Sequence, residues 1–152
     1  MMTQNTRTIR EALIGDVKSI SGLSRELGYP APEGQTQARL ETMIRSRSHV
    51  VYVGCDRAGE VRAWIHAHEC LTLQSGAFGE ISGFVVSKAL RGQGMGKQLL
   101  KAVERWAGQR GLPKLRVRTQ VHRRDAQAFY RGRGFEVSKE QYVFDKFLGR
   151  GR

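Results

Sequence analysis

The chain is poor in anything that would tie its fold to crosslinks, metals or a membrane. It has two cysteines, Cys55 and Cys70, with no Cys-x-x-Cys spacing, so neither a disulfide framework nor a metal site is expected. Each ends an apolar strand pattern and reads as a buried free thiol. No apolar run approaches the roughly 20 residues that span a bilayer. The polar start, Met1–Arg10, lacks the apolar core of a signal peptide, which makes a cytoplasmic protein the expectation. Internal repeats, low-complexity stretches and linker-like segments are missing too, so one domain over residues 1–152 is expected.

Acidic residues are scarce: 14 Asp and Glu face 26 Lys and Arg, for a net charge of +12. Such a field draws anions, whether a nucleotide cofactor, an acidic substrate or nucleic acid. The basic residues are spread along the chain, apart from Lys114–Arg124 and the Arg150/Arg152 tail. No recognition helix, stacking aromatics or zinc ligands accompany them, which disfavours a dedicated nucleic-acid protein. With 39% hydrophobic and 26% charged residues, the composition is that of an ordinary globular protein.

Taken in order, Thr6–Glu11 reads as a strand and Asp16 stands where an N-cap belongs. Val17, Ile20, Leu23, Ser24 and Leu27 follow at helical spacing, and Gly28 can close that helix. After a turn-rich connector, a second helix is expected from Thr36, with Leu40, Met43 and Ile44 on one face. The period then becomes that of strands: His49–Cys55, a turn at Asp56–Gly59, Glu60–Cys70, and Phe78–Val86 after a loop at 73–77. These connections are too short for crossovers, so the three strands should be antiparallel. If the last hairpin folds symmetrically about Gln74, His68 lies across from Glu80, with His66 on the same face.

A turn at Ser87–Lys97 opens a helix to about Arg110, striped by Leu99, Leu100, Val103, Trp106 and Ala107 and closed by Gly111 and Pro113. Leu115–Thr119 alternates apolar and basic residues; as the end of a crossover it should run parallel to the strand before the turn. A short helix over Asp125–Arg131 and a closing strand pair, Phe135–Val137 and Gln141–Leu148, complete the chain.

The turn holds Arg91-Gly92-Gln93-Gly94-Met95-Gly96-Lys97. A P-loop would need glycine at 91 and Ser or Thr at 98, but Arg91 and Gln98 stand there. A dinucleotide fingerprint starting at Gly92 would need glycine at 97, where Lys97 stands. Arg-x-x-Gly-x-Gly between a strand and a helix fits instead, and Asp125-Ala-Gln-Ala-Phe-Tyr130 followed by Gly134-Phe135 fits as a second motif. With these two segments the chain resembles the GNAT superfamily of acyl-coenzyme A-dependent N-acyltransferases, over most of its length.

That resemblance implies an α/β (α+β) fold: a mixed, mainly antiparallel sheet of six or seven strands with a splayed central pair and helices on both faces. It implies acetyl-CoA as acyl donor and co-substrate, no metal, and direct transfer to a primary amine in a ternary complex. The N–H groups of Arg91, Gly92, Gln93, Gly94, Met95, Gly96 and Lys97 would wrap the pyrophosphate. The pantetheine arm would pair with Phe84, Val85 and Val86. Tyr130 would protonate the departing thiolate and Glu80 would be the base, to which the hairpin register, not the resemblance, adds His68 as a candidate partner. Two family features are missing: Arg123 replaces a pantetheine-contacting asparagine, and Val61–Trp64 lacks a glycine common in that strand. The acceptor is a small-molecule or protein amine, with a carboxylate or phosphate on it favoured by the positive field; a membrane partner is not expected and a homodimer is left open. A non-catalytic acyl-coenzyme A-binding module is the rival expectation, and a basic nucleic-acid-binding protein a weaker one.

Overall fold

The computed structural model describes residues 7–149, so Thr6 and the Arg150/Arg152 tail lie outside the described residues. Contacts divide the chain into two compact units, one ending at Arg118 and one beginning at Thr119. The first carries β1 (Thr8–Glu11), α1 (Val17–Glu26), α2 (Glu33–Arg45), β2 (His49–Cys55), β3 (Val61–Thr72), β4 (Gly76–Val86), α3 (Met95–Gln109) and β5 (Leu115–Val117). Its strands form one sheet in sequence order, antiparallel from β1 to β4 and parallel between β4 and β5.

Alternation along β3 sorts the sheet into two faces. Ala63, Ile65 and Ala67, all fully buried, face α3, whose Leu99, Leu100, Val103, Trp106 and Ala107 are buried as the stripe predicts, with Met95 buried besides. Arg110 reaches Glu69 on this same face, 3.3 Å away. On the opposite face α1 and α2 set Val17, Ile20 and Leu40 against Val51, Val53 and Cys55, with Trp64 and Met43 packed beside them. Ile44, expected on the buried face of α2, is instead exposed, and the helix starts three residues earlier than its pattern suggested.

Asp16 does not cap α1 with its side chain. Its carboxylate accepts hydrogen bonds from the Leu13 amide (2.8 Å) and from Arg10 Nη1 and Nη2 (2.8 and 3.0 Å), joining β1 to the turn Ile14–Asp16. Burial pushes this carboxyl up, but the Arg10 and Leu13 hydrogen bonds outweigh it and hold the group below the usual carboxylate range.

The second unit contains α4 (Arg124–Gly132). The expected closing strands do not form: residues 135–148 are irregular, and Tyr142, Val143, Phe144, Phe147 and Leu148 are exposed. Two short strands on their own make at best a marginal ribbon. Among the described residues the sheet therefore has five strands rather than six or seven.

One close approach fixes the middle of the sheet. A Cβ at Gly83 would lie 2.6 Å from the Trp64 ring, so only glycine lets the indole cross β4. Gly83→Ala is expected to cost about 1–3 kcal/mol by overpacking, read as a lower urea midpoint with an unchanged m-value. Because the folded Asp16 pKa is depressed, its stabilisation is present above the ordinary carboxylate range and lost as pH falls through the folded value. Asp16→Asn should thus be less stable than the parent at neutral pH, and denaturation at successively lower pH should show the gap closing.

Candidate functional site

The strand pair β4–β5 is joined by only three residue pairs: Gly79–Leu115, Glu80–Arg116 and Ile81–Val117. The reason sits one residue further along β4. Ala67 of β3 faces Ile81 while His66 faces Gly83, which leaves Ser82 as an extra, bulged residue. A bulge bends its strand and disrupts the ladder. Beyond it β4 runs on through Val86 with β3 on one side and, among the described residues of this unit, no strand on the other. The stretch of Phe84, Val85 and Val86 is therefore flanked by a strand on one side only among the described residues of this unit.

This edge leads into the glycine-rich turn. Ser87 and the turn Lys88–Leu90 are tied back to α1 by Lys88 N–H donating to Glu26 (3.1 Å), and Arg91 Nε donates to the Val86 carbonyl (3.2 Å). Gly92 and Gly94 have φ of 78° and 86°, left-handed values that glycine adopts without strain. The N–H groups of Gly92, Gln93 and Gly94 find no acceptor among the described residues. The first bond of α3 runs from Gln98 to Gly94, so the N–H groups of Met95, Gly96 and Lys97 are left over by helix geometry. Six donors at a helix N-terminus form a cradle for an anion. Met95 is the exception in exposure, its side chain buried while its amide faces the cradle end of the helix. Arg7, whose role the sequence did not announce, donates to the backbone and side-chain oxygens of Gln93.

At the closed end of the edge stands a polar row. The ladder places His49, His68, Glu80 and Arg116 side by side across four strands. His68 faces Glu80 as the hairpin symmetry predicts, and His66 shares their face. The three imidazoles stack with centroids 5.1–5.7 Å apart, and His49 Nδ1 lies 2.9 Å from His66 Nε2. Burial, then the neighbouring histidines, lowers the His66 pKa to about 4, and burial followed by His68 lowers that of His49. Both are neutral at neutral pH.

Glu80 has both oxygens engaged: Arg118 Nε donates to Oε2 at 3.0 Å, and the Cys70 thiol donates to Oε1 at 3.7 Å. Cys70 is thus half-buried beside charged groups rather than fully buried as expected, whereas Cys55 is buried and free. Neither Arg118 nor Cys70 was readable here from the chain alone, since the first depends on a parallel register across a crossover and the second on the hairpin register. Among the described residues no group of three metal-ligating side chains could hold a metal ion.

In the second unit Tyr130 lies on α4, half-buried, edge-on to Phe129 and to Phe135 with centroids 5.4 Å apart. Burial, slightly opposed by Arg123, pushes its phenol up to about 12. Arg123 pairs with exposed Asp125 at 3.4 Å.

Comparison with known proteins agrees with this geometry. A Salmonella typhimurium protein named aminoalkylphosphonate N-acetyltransferase is 39% identical over 88 residues, covering 57% of this chain and 57% of that protein, little more than half its length. The aminoglycoside antibiotic 6'-N-acetyltransferase of Acinetobacter baumannii superposes with a TM-score of 0.82 at 18% identity, over 94% of this chain and 99% of that one. An aminoglycoside N-acetyltransferase solved with CoA gives 0.82 at 19% identity, over 93% and 95%. At these identities the two structures attest the fold alone. Residues 20–135 match the acetyltransferase (GNAT) family, and with the bulged, splayed strand pair feeding a glycine-rich anion cradle, the chain belongs to that family.

Proposed function

We propose that the protein transfers the acetyl group of acetyl-CoA to the primary amine of a small acceptor, by direct attack in a ternary complex. The observation that carries this reading is the continuity of the open β4 edge with the cradle of six N–H groups. A pyrophosphate in the cradle, helped by Arg91 and Lys97, leaves a pantetheine arm to lie along Phe84, Val85 and Val86 as a substitute strand. An N–H of that edge then polarises the thioester carbonyl, and water is kept from the β4 backbone.

Glu80 supplies the carboxylate of the acceptor site, at the closed end of the edge. Tyr130 is the proposed proton donor to the thiolate. Its raised pKa keeps the phenol protonated at neutral pH, which is the form a donor needs. Neither cysteine has a nucleophile's surroundings: burial raises both thiols, and Glu80 raises Cys70 further. The family match runs through residues of both units, which supports reading the chain as one acyltransferase domain.

For the acceptor, an amine that also carries a phosphonate, phosphate or carboxylate fits best. Arg116 and Arg118 border Glu80, and the net charge is +12, so a polycation would meet repulsion. The aminoalkylphosphonate acetyltransferase named above points to the same chemistry. We place the protein in the cytoplasm, in keeping with an acetyl-CoA donor; no described helix is long and apolar enough to cross a membrane.

Coenzyme A should raise the melting temperature with the logarithm of its excess over the dissociation constant, with about 2.7 kcal/mol of stabilisation at a hundredfold excess. Gly94→Ala, at φ 86° with open space around the added Cβ, should cost about 1–2 kcal/mol of backbone strain and lose most of the coenzyme-induced shift. No shift at millimolar acetyl-CoA in the parent protein would sink the assignment. In a thiol-release assay over an amine panel, anionic amines should outperform polyamines, and Tyr130→Phe should lower kcat at least tenfold. Coenzyme binding without turnover of any amine would favour a sensor module instead.

A further inference from the structure

The polar row decides which atom takes the amine's proton, a question that deepens the acyltransferase reading and rests on it. Glu80 is the more engaged candidate, because each of its oxygens already accepts a hydrogen bond, one from Arg118 and one from Cys70. His68 is differently placed. Its Nδ1 lies 3.3 Å from the Glu69 carbonyl oxygen, which can only accept. Nδ1 therefore carries the proton of the neutral ring and donates it there, with the Cys70 sulfur 3.7 Å away as a second, weaker acceptor. The lone pair is left on Nε2, to which nothing among the described residues donates.

We infer that His68 Nε2 is the proton acceptor for the incoming ammonium, with Glu80 acting through it as the carboxylate that stabilises the imidazolium.

The surroundings suit that division. The groups facing His68 are His49 from β2, His66 and Cys70 on β3, Glu80 from β4, and Arg116 and Arg118 from β5. His49 and His66 stay neutral at neutral pH and place no positive charge against a third imidazole that must become cationic. Glu80, directly across the ladder, offers the compensating negative charge, and Arg118 holds it in place. His68 also sits one ladder pair behind the point where β4 and β5 part, at the closed end of the proposed pantetheine edge.

The step balances as follows. The ammonium gives one proton to Nε2 and becomes a nucleophilic amine. Its nitrogen forms the C–N bond at the thioester carbonyl carbon, the C–S pair leaves with sulfur, and the thiolate takes a proton from Tyr130. The second proton lost from nitrogen restores the phenol, and the imidazolium releases its own to water.

Two measurements on the full chain test this. Nitrogen-15 NMR of the neutral His68 ring should show the Nδ1–H tautomer, the reverse of what free histidine favours; an Nε2–H ring would overturn the inference whatever the activity. In thiol-release kinetics with an amine accepted from the panel, His68→Asn keeps a donor at the Nδ1 position and should lower kcat about 10²-fold or more with little change in coenzyme affinity. Its pH profile should lose the acid limb, and added imidazole should restore part of the rate. Glu80→Gln should keep that limb and move it to lower pH. The opposite crossover, with the limb lost in Glu80→Gln and kept in His68→Asn, would make the carboxylate the base and refute the proposal. Failure of every amine would instead defeat the acyltransferase reading and leave the tautomer to decide this one.

Discussion

A parallel strand pair that joins for three residues and then parts is the constraint on which the rest of the first unit depends. One inserted residue, Ser82, is responsible. Had β4 continued in register, its far half would be an ordinary interior strand, with every N–H and C=O bonded on both sides and no room for a ligand backbone. The bulge leaves that half of β4 without a second flanking strand among the described residues of this unit, and a chain of amides is the chemical object that best pairs with a strand's flank. Trp64 lying across Gly83 braces the bulged stretch from the face that α1 and α2 cover. The bulge also leaves Glu80 and Gly83 on one face of β4 although they are three positions apart, so acceptor chemistry and the Trp64 brace share a side of the sheet.

Local signals were legible wherever neighbours in sequence decide the outcome. The stripe of α3, the glycine turn at Gly92–Gly96 and the facing of His68 and Glu80 all follow from short-range geometry: a 3.6-residue period, positive φ, and a tight hairpin. The bulge was not legible, because Ile81-Ser82-Gly83 contains nothing that requires an extra residue; the need arises only when β3 and β5 are both present. Arg118 at Glu80 was hidden for a related reason, being 38 positions away across a helical crossover. Residues 141–148 are rich in strand-forming side chains, but such a stretch becomes a strand only with a partner. The carboxylate Asp16 shows the same limit: its position relative to α1 was readable, but its use by Arg10 came from tertiary structure.

The site's electrostatics are more evenly balanced than the net charge suggests. Glu80, Arg116 and Arg118 stand next to one another, with three imidazoles on the far side of the carboxylate. An acceptor carrying both an ammonium and an anionic group meets complementary charges a few ångströms apart, and one carrying only positive charge meets the arginines uncompensated. Discrimination of this kind depends on penalties as much as on attractions. The cradle, by contrast, uses mainly backbone dipoles, which stay fixed and uncharged as phosphates come and go.

β5 carries a further consequence. It is only three residues long, and two cations, Lys114 and Arg116, lie over the ring of Phe78 at 5.1 and 4.7 Å. Part of this segment's adhesion to the sheet thus comes from side chains embracing an aromatic ring rather than from its short ladder. The same cations line the last strand of the sheet, and a short, positively charged border is a poor template for another chain's backbone. Some of the molecule's excess charge is accordingly placed where it disfavours the addition of another strand beside β5.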